Sequence, residues 1–158
     1  MILETVMRNA NGTVFGKAYY PDLEDDIELT LFGNRVPCGF PSPAADYIEE
    51  TINLNKHLIR NPSSTYFIKA SGESMREASI RDTDLLIIDK SIKVKHGYPI
   101  VCWYNGGFTI KTYRKENGKI YLEPANPAYE KVEITEGMDF TFWGVVSYSI
   151  HNCLSKLR

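Results

Sequence analysis

The sequence predicts a mainly β domain, compact and barrel-like, with an extended N-terminal arm and one short helix. Three observations predict it: short strand-like segments from Thr65 to Tyr148 divided by turn signals, an acidic stretch within the first 37 residues, and a helical spacing of apolar residues between the two. A chain of 158 residues is long enough for one sizeable core and too short for two full domains with a linker.

In the arm, Thr13-Val14-Phe15 and Leu29-Thr30-Leu31-Phe32 read as weak strands around Asp22, Glu24, Asp25, Asp26 and Glu28. So many like charges repel one another and resist packing, which favours an extended, solvated segment. In Phe40-Pro41-Ser42-Pro43 the serine suits a helix cap, and Pro43 fits the first turn without wasting an amide. Ala44, Tyr47, Ile48 and Ile52 then recur at helical spacing, so a short amphipathic helix is expected before Asn61-Pro62-Ser63-Ser64 breaks the pattern. The expected strands that follow are Thr65 to Ala70, Leu85 to Asp89, Ile100 to Tyr104, Phe108 to Tyr113, Ile120 to Glu123, Val132 to Thr135 and Phe140 to Tyr148. Asn105-Gly106-Gly107 joins two of them as a hairpin, because such tight connections demand positive φ angles.

Composition narrows the function classes. Hydrophobic residues make up 43% and charged residues 24%, the balance of a folding domain rather than a disordered chain. Eighteen basic against twenty acidic residues leave a net charge of −2, and the basic ones are scattered, so the electrostatic footprint of a duplex-binding protein is missing. No apolar run approaches the roughly 18–20 residues of a membrane helix, and Met1-Ile2-Leu3-Glu4 does not open a secretory signal. The expectation is a chain neither exported nor anchored. Cys38, Cys102 and Cys153 are odd in number and lack Cys-x-x-Cys spacing, so neither a disulfide framework nor a zinc site is indicated, and a reducing cytoplasm fits best. No cofactor is called for, and His57, His96 and His151 show no metal-ligand spacing.

One constellation carries chemistry. Ala70-Ser71-Gly72-Glu73-Ser74-Met75 follows a strand, and Gly72 lets the backbone turn and expose the Ser74 hydroxyl. Serine needs a base, and no histidine here has a matching acid signature. Lysine is the other solution. In Phe108-Thr109-Ile110-Lys111-Thr112 the period of two sends Phe108, Ile110 and Thr112 to one face and Lys111 to the other. A lone lysine between apolar neighbours is expected to be half-buried, and burial lowers its pKa toward the range of a general base. Taken singly, Ser74 is an ordinary loop serine and Lys111 an ordinary strand lysine.

Taken together with their surroundings, these residues resemble the LexA-like self-cleaving serine–lysine peptidases, and among them the UmuD mutagenesis proteins. The resemblance runs from about Leu31 to Val146 through Cys38-Gly39, Phe40-Pro41-Ser42-Pro43-Ala44-Ala45-Asp46-Tyr47, Ser71-Gly72-Glu73-Ser74-Met75, Asp82-Thr83-Asp84-Leu85-Leu86-Ile87-Ile88-Asp89, Phe108-Thr109-Ile110-Lys111 and Gly144-Val145-Val146. The separations of 36 residues from Cys38 to Ser74 and 37 from Ser74 to Lys111 agree with it. The resemblance implies Ser74 as nucleophile, Lys111 as general base, the Ser74 and Met75 backbone amides as oxyanion donors, and Cys38-Gly39 as the scissile bond. It divides the chain into an arm, 1–38, removed by self-cleavage, and a dimerising β domain, 39–158. One departure stands out: where the family often has Asp-Gly-Asp, this chain has Asp82-Thr83-Asp84.

By the same resemblance the trigger is the RecA filament on single-stranded DNA, and the trimmed homodimer joins a UmuC-like Y-family polymerase in translesion synthesis. Glu28-Leu29-Thr30-Leu31-Phe32 is similar to the Gln-Leu-x-Leu-Phe pentapeptide of sliding-clamp ligands, with Leu29, Leu31 and Phe32 as contacts, although five residues are a weak signal and a short apolar strand or arm contact is the plainer reading. Three other readings compete with this one. A LexA-type repressor would need a DNA-binding domain of about 65–70 residues before the cut, and only 37 precede Cys38. A signal peptidase would need a membrane segment. A noncatalytic dimeric interaction module would keep the fold without the reaction.

Overall fold

The computed structural model describes residues 4–8, 14–19, 27–32, 38 and 49–154. The mainly β expectation is met by an antiparallel sheet of nine strands. These are β1 (Glu4–Arg8), β2 (Val14–Tyr19), β5 (Thr65–Lys69), β6 (Leu85–Asp89), β7 (Pro99–Tyr104), β8 (Gly107–Glu116), β9 (Lys119–Glu123), β10 (Val132–Ile134) and β11 (Phe140–Ile150). Their order across the sheet is β1-β2-β5-β6-β11-β7-β8-β9-β10. A separate pair joins β3 (Glu28–Phe32) to β4 (Glu49–Asn53).

Strands β6 and β7 read as unbroken apolar runs because both of their faces are covered. Along β7, Ile100 and Cys102 enter one core cluster with Leu122 and Val145, whereas Val101 enters a second with Met75, Ile80, Leu86, Ile88 and Val146. A strand buried on both sides has no reason to alternate with polar residues. The turns follow their chemistry: Asn105 and Gly106 take φ of 44° and 88°, Asn117 and Gly118 take 50° and 78°, the left-handed pairs that two-residue hairpins require. Strand β11 serves both β6 and β7. It does so through two register shifts, between Phe142 and Gly144 against β7 and between Val146 and Tyr148 against β6. Such irregularities bend a long strand and let it change partners.

Two expectations are refined. The short helix exists, but as α1 (Leu54–Leu58), capped by Asn53, whose side chain accepts from the Lys56 N–H at 3.0 Å. Ile52 lies instead on β4, opposite Leu29 of β3. Thr51 and Ile52 are β-branched, and a cross-strand partner outweighs a helical spacing of apolar residues. The proposed cap Ser42 and residues 43–48 lie outside the described residues. The arm, in turn, contains β1 and β2, which pair as a hairpin and reach the main sheet where Tyr19 meets Phe67. Asp22, Glu24, Asp25 and Asp26 lie outside the described residues.

Candidate active site

The chain leaves β5 into the loop that carries Ser74, and a turn at residues 81–84 grips the base of that loop. The Ala70 N–H donates to the Asp84 carbonyl at 2.8 Å, and the Thr83 N–H donates to the Ala70 carbonyl at 3.0 Å. Gly72, at φ +89°, donates its N–H to Asp82 Oδ1 at 2.8 Å. From the opposite side Asn126 Nδ2 donates to the Glu73 carbonyl at 2.8 Å, and the Glu77 N–H to the Ala125 carbonyl at 2.8 Å. The buried Met75 side chain fixes the loop in the core. Ser74 is thus half-buried on a loop held from both sides. Among the described residues, the Ser74 and Met75 N–H groups donate to no acceptor.

Lys111 reaches Ser74 from β8. Register pairs Lys111 with Ile100 and Ile110 with Val101, so the alternation read from the sequence holds. Pairing with β9 begins only at Thr112 opposite Glu123, which leaves β8 from Gly107 to Lys111 with an open edge. Gly107 closes the hairpin opposite Tyr104, so by antiparallel alternation the backbone groups of Phe108 and Ile110 point away from β7, toward that edge. Lys111 Nζ sits there. It donates to Ser74 Oγ at 3.1 Å, to Thr109 Oγ1 at 2.9 Å and to the Ile110 carbonyl at 3.0 Å.

These three partners suit both protonation states. An ammonium has three hydrogens and finds three acceptors. A neutral amine keeps two hydrogens, which Thr109 and Ile110 can hold, and turns its lone pair toward the Ser74 hydroxyl. Burial lowers the Lys111 pKa from its ordinary 10.5. A Cys102 thiolate would oppose that shift, but burial pushes the Cys102 thiol up to about 12, so the group is uncharged near neutral pH. Beside the pair lies a cleft of about 200 Å³ with apolar walls that include Ile68, Ile80, Val101 and Phe108.

The sequence-predicted residues therefore separate into two groups. Ser74, Met75 and Lys111 come together. Cys38 is exposed with a free thiol, and Gly39 lies outside the described residues. Leu29 and Leu31 are exposed on β3, which ends at Phe32. Sequence reasoning missed Thr109, although its place two residues before Lys111 on the same strand face was a usable signal. It also missed Asn126, for which no local pattern exists.

Residues 30–147 match the family model described as Peptidase S24-like. The chain belongs to this family. Among its relatives, protein SamA of Salmonella typhimurium is 41% identical over 125 residues, which cover 79% of this chain and 86% of that protein. Protein ImpA of Escherichia coli is 35% identical over 145 residues, 88% of this chain and 94% of the relative. Protein MucA of Escherichia coli is 35% identical over 133 residues, 77% and 84% of the two chains. Membership fits the Ser74 loop and the β8 lysine, which both fall inside the matched span. Among the described residues no helix is long and apolar enough to cross a membrane.

Proposed function

We propose that this Peptidase S24-like chain cuts itself once, between Cys38 and Gly39, with Ser74 as nucleophile and Lys111 as general base. The 3.1 Å contact between Lys111 Nζ and Ser74 Oγ, made where burial lowers the lysine pKa, is the observation that carries this reading. Neutral Lys111 takes the hydroxyl proton as Ser74 Oγ bonds to the Cys38 carbonyl carbon. The Ser74 and Met75 N–H groups stabilise the resulting oxyanion. As the bond to Gly39 breaks, the Lys111 ammonium returns the proton to the departing amine. Water, deprotonated by the same lysine, then releases the Cys38 carboxylate from Ser74. A tethered segment reacts at high effective concentration, which compensates for a modest base.

In this reading the arm 1–38 is discarded and residues 39–158 form the lasting homodimer. The trigger is the RecA filament on single-stranded DNA, the partner is a UmuC-like Y-family polymerase, and the setting is SOS mutagenesis in the cytoplasm; family membership and the sequence resemblance support these steps. The exposed Leu29 and Leu31 support a sliding-clamp contact through β3.

The test follows the intact mass of the purified chain at a pH of about 10, where more Lys111 is neutral. Slow conversion to fragments 1–38 and 39–158 is expected, and Ser74→Ala and Lys111→Ala should each stop it. A chain that stays whole even with RecA, ATP and single-stranded DNA would refute the peptidase reading in favour of a noncatalytic interaction module.

A further inference from the structure

The turn at residues 81–84, which grips the Ser74 loop at Ala70 and Gly72, is an unfavourable piece of backbone. Thr83 has φ +69°, the left-handed region that a β-branched residue avoids. Such a conformation persists only where its surroundings over-determine it. The surroundings here converge on the Asp84 carboxylate, which is 2% exposed. Its Oδ2 accepts from the Arg81 N–H at 2.9 Å and from Ser149 Oγ at 2.7 Å; its Oδ1 lies 2.6 Å from His151 Nδ1.

A carboxylate only accepts, so His151 Nδ1 carries a hydrogen and donates it to Asp84 Oδ1. On the other side of the ring, Arg81 Nη1 lies 3.1 Å from Nε2. Burial pulls the Asp84 pKa upward, but hydrogen bonds from the Arg81 N–H, His151 and Ser149 outweigh it and hold the carboxyl below its ordinary value. His151 follows directly on β11, so it ties the end of that strand to the turn beneath the nucleophile.

We infer that His151 is a positioning residue for Ser74, acting through Asp84 and Arg81 to hold the 81–84 turn against the Ala70–Gly72 backbone. The inference rests on the self-cleavage proposed above for its kinetic readout only. With the hydrogen bond to Asp84 gone, the Thr83 conformation relaxes, Asp82 leaves the Gly72 amide, and Ser74 drifts from Lys111 Nζ. The base itself is untouched.

Two measurements on the full-length chain test this. In a self-cleavage series against pH, His151→Leu is expected to lower the plateau rate about tenfold, a barrier increase of about 1.4 kcal/mol, without moving the Lys111 inflection. His151→Asn, whose amide nitrogen can replace Nδ1 as donor, should recover most of the loss. In amide exchange read by mass spectrometry, the segment 70–75 of His151→Leu should exchange about tenfold faster than in the natural chain and that of His151→Asn close to normally. A His151→Leu protein with unchanged plateau and unchanged exchange overturns the inference, as does an asparagine variant as impaired as the leucine one. If the natural chain does not cleave at all, the peptidase reading falls, and amide exchange alone still decides whether His151 holds the loop.

Discussion

Replacing Thr109 by valine removes one of the three acceptors around Lys111 Nζ while keeping the side-chain shape. The lost contact is the 2.9 Å hydrogen bond to Oγ1. A hydrogen bond to a charged group contributes about 1.5–3 kcal/mol, and Lys111 is only half-buried, so water replaces part of it and the low end applies. At about 1.4 kcal/mol per pKa unit, the Lys111 pKa, already lowered by burial, falls by about one further unit. The sign follows from the partner: an acceptor favours the ammonium, so its loss favours the amine. The neutral amine also loses one of the two hydrogen bonds that aim its lone pair at Ser74, and the plateau rate should fall about tenfold.

The two effects offset each other at low pH and separate at high pH. Below both inflections the variant has about ten times more neutral lysine and about a tenth of the intrinsic rate, so it should cleave about as fast as the natural chain. Above both inflections it should be about tenfold slower. Stability moves with the same sign. A base with a depressed folded pKa costs stability fully below that pKa, and the cost is lost as pH rises toward the ordinary 10.5. Thr109→Val should therefore destabilise the fold by about 1 kcal/mol near neutral pH and by less in alkali. Intact-mass kinetics between pH 7 and about 11 and urea titrations at both ends supply the measurements. An inflection that stays put or moves upward would show that the Thr109 hydroxyl does not stabilise the ammonium, and the assignment of Lys111 partners would be wrong.

Two further predictions concern the frame and the arm. A Cβ on Gly144 would stand 2.5 Å from Ile88 Cγ2, a fully buried atom between two strands, so Gly144→Ala should cost about 1–3 kcal/mol in denaturant titration. Ile88→Leu has no branch at that position and should recover at least about 1 kcal/mol in the double variant; strict additivity would show that the contact is not the cause. A peptide of residues 24–36 should bind the sliding clamp in calorimetry and lose binding on Leu31→Ala; no heat from the natural peptide would discard the clamp contact.

The strands of the main sheet were legible because their residues answer to short-range rules. Leu85 to Asp89 was read to the residue, and Asn105-Gly106 marked its hairpin, since only such residues take that backbone cheaply. The helical spacing does not hold at Ile52, where the outcome depends on β3, whose Leu29 faces it from 23 residues earlier in sequence. Thr83 shows the same limit from the other side. Its departure from the Asp-Gly-Asp pattern was visible, but that it adopts the glycine conformation anyway depends on Asp84, Ser149 and His151, the last two more than sixty residues away.

The proposed dyad falls between these cases. Ser74 and Lys111 could be paired by spacing, yet alternation along β8 says only that Lys111 avoids the face of Phe108 and Ile110. What brings its amine to Ser74 is the absence of a β9 partner before Thr112, which opens the edge and turns the Ile110 carbonyl toward the lysine. Were β9 three residues longer, that carbonyl would be bonded to a strand, Nζ would lose an acceptor, and the lysine would have no room beside the serine. The length of β9 is therefore a dimension on which the proposed base depends, and past Glu123 the chain turns to the Ser74 loop instead, where the Ala125 carbonyl accepts from the Glu77 N–H at 2.8 Å.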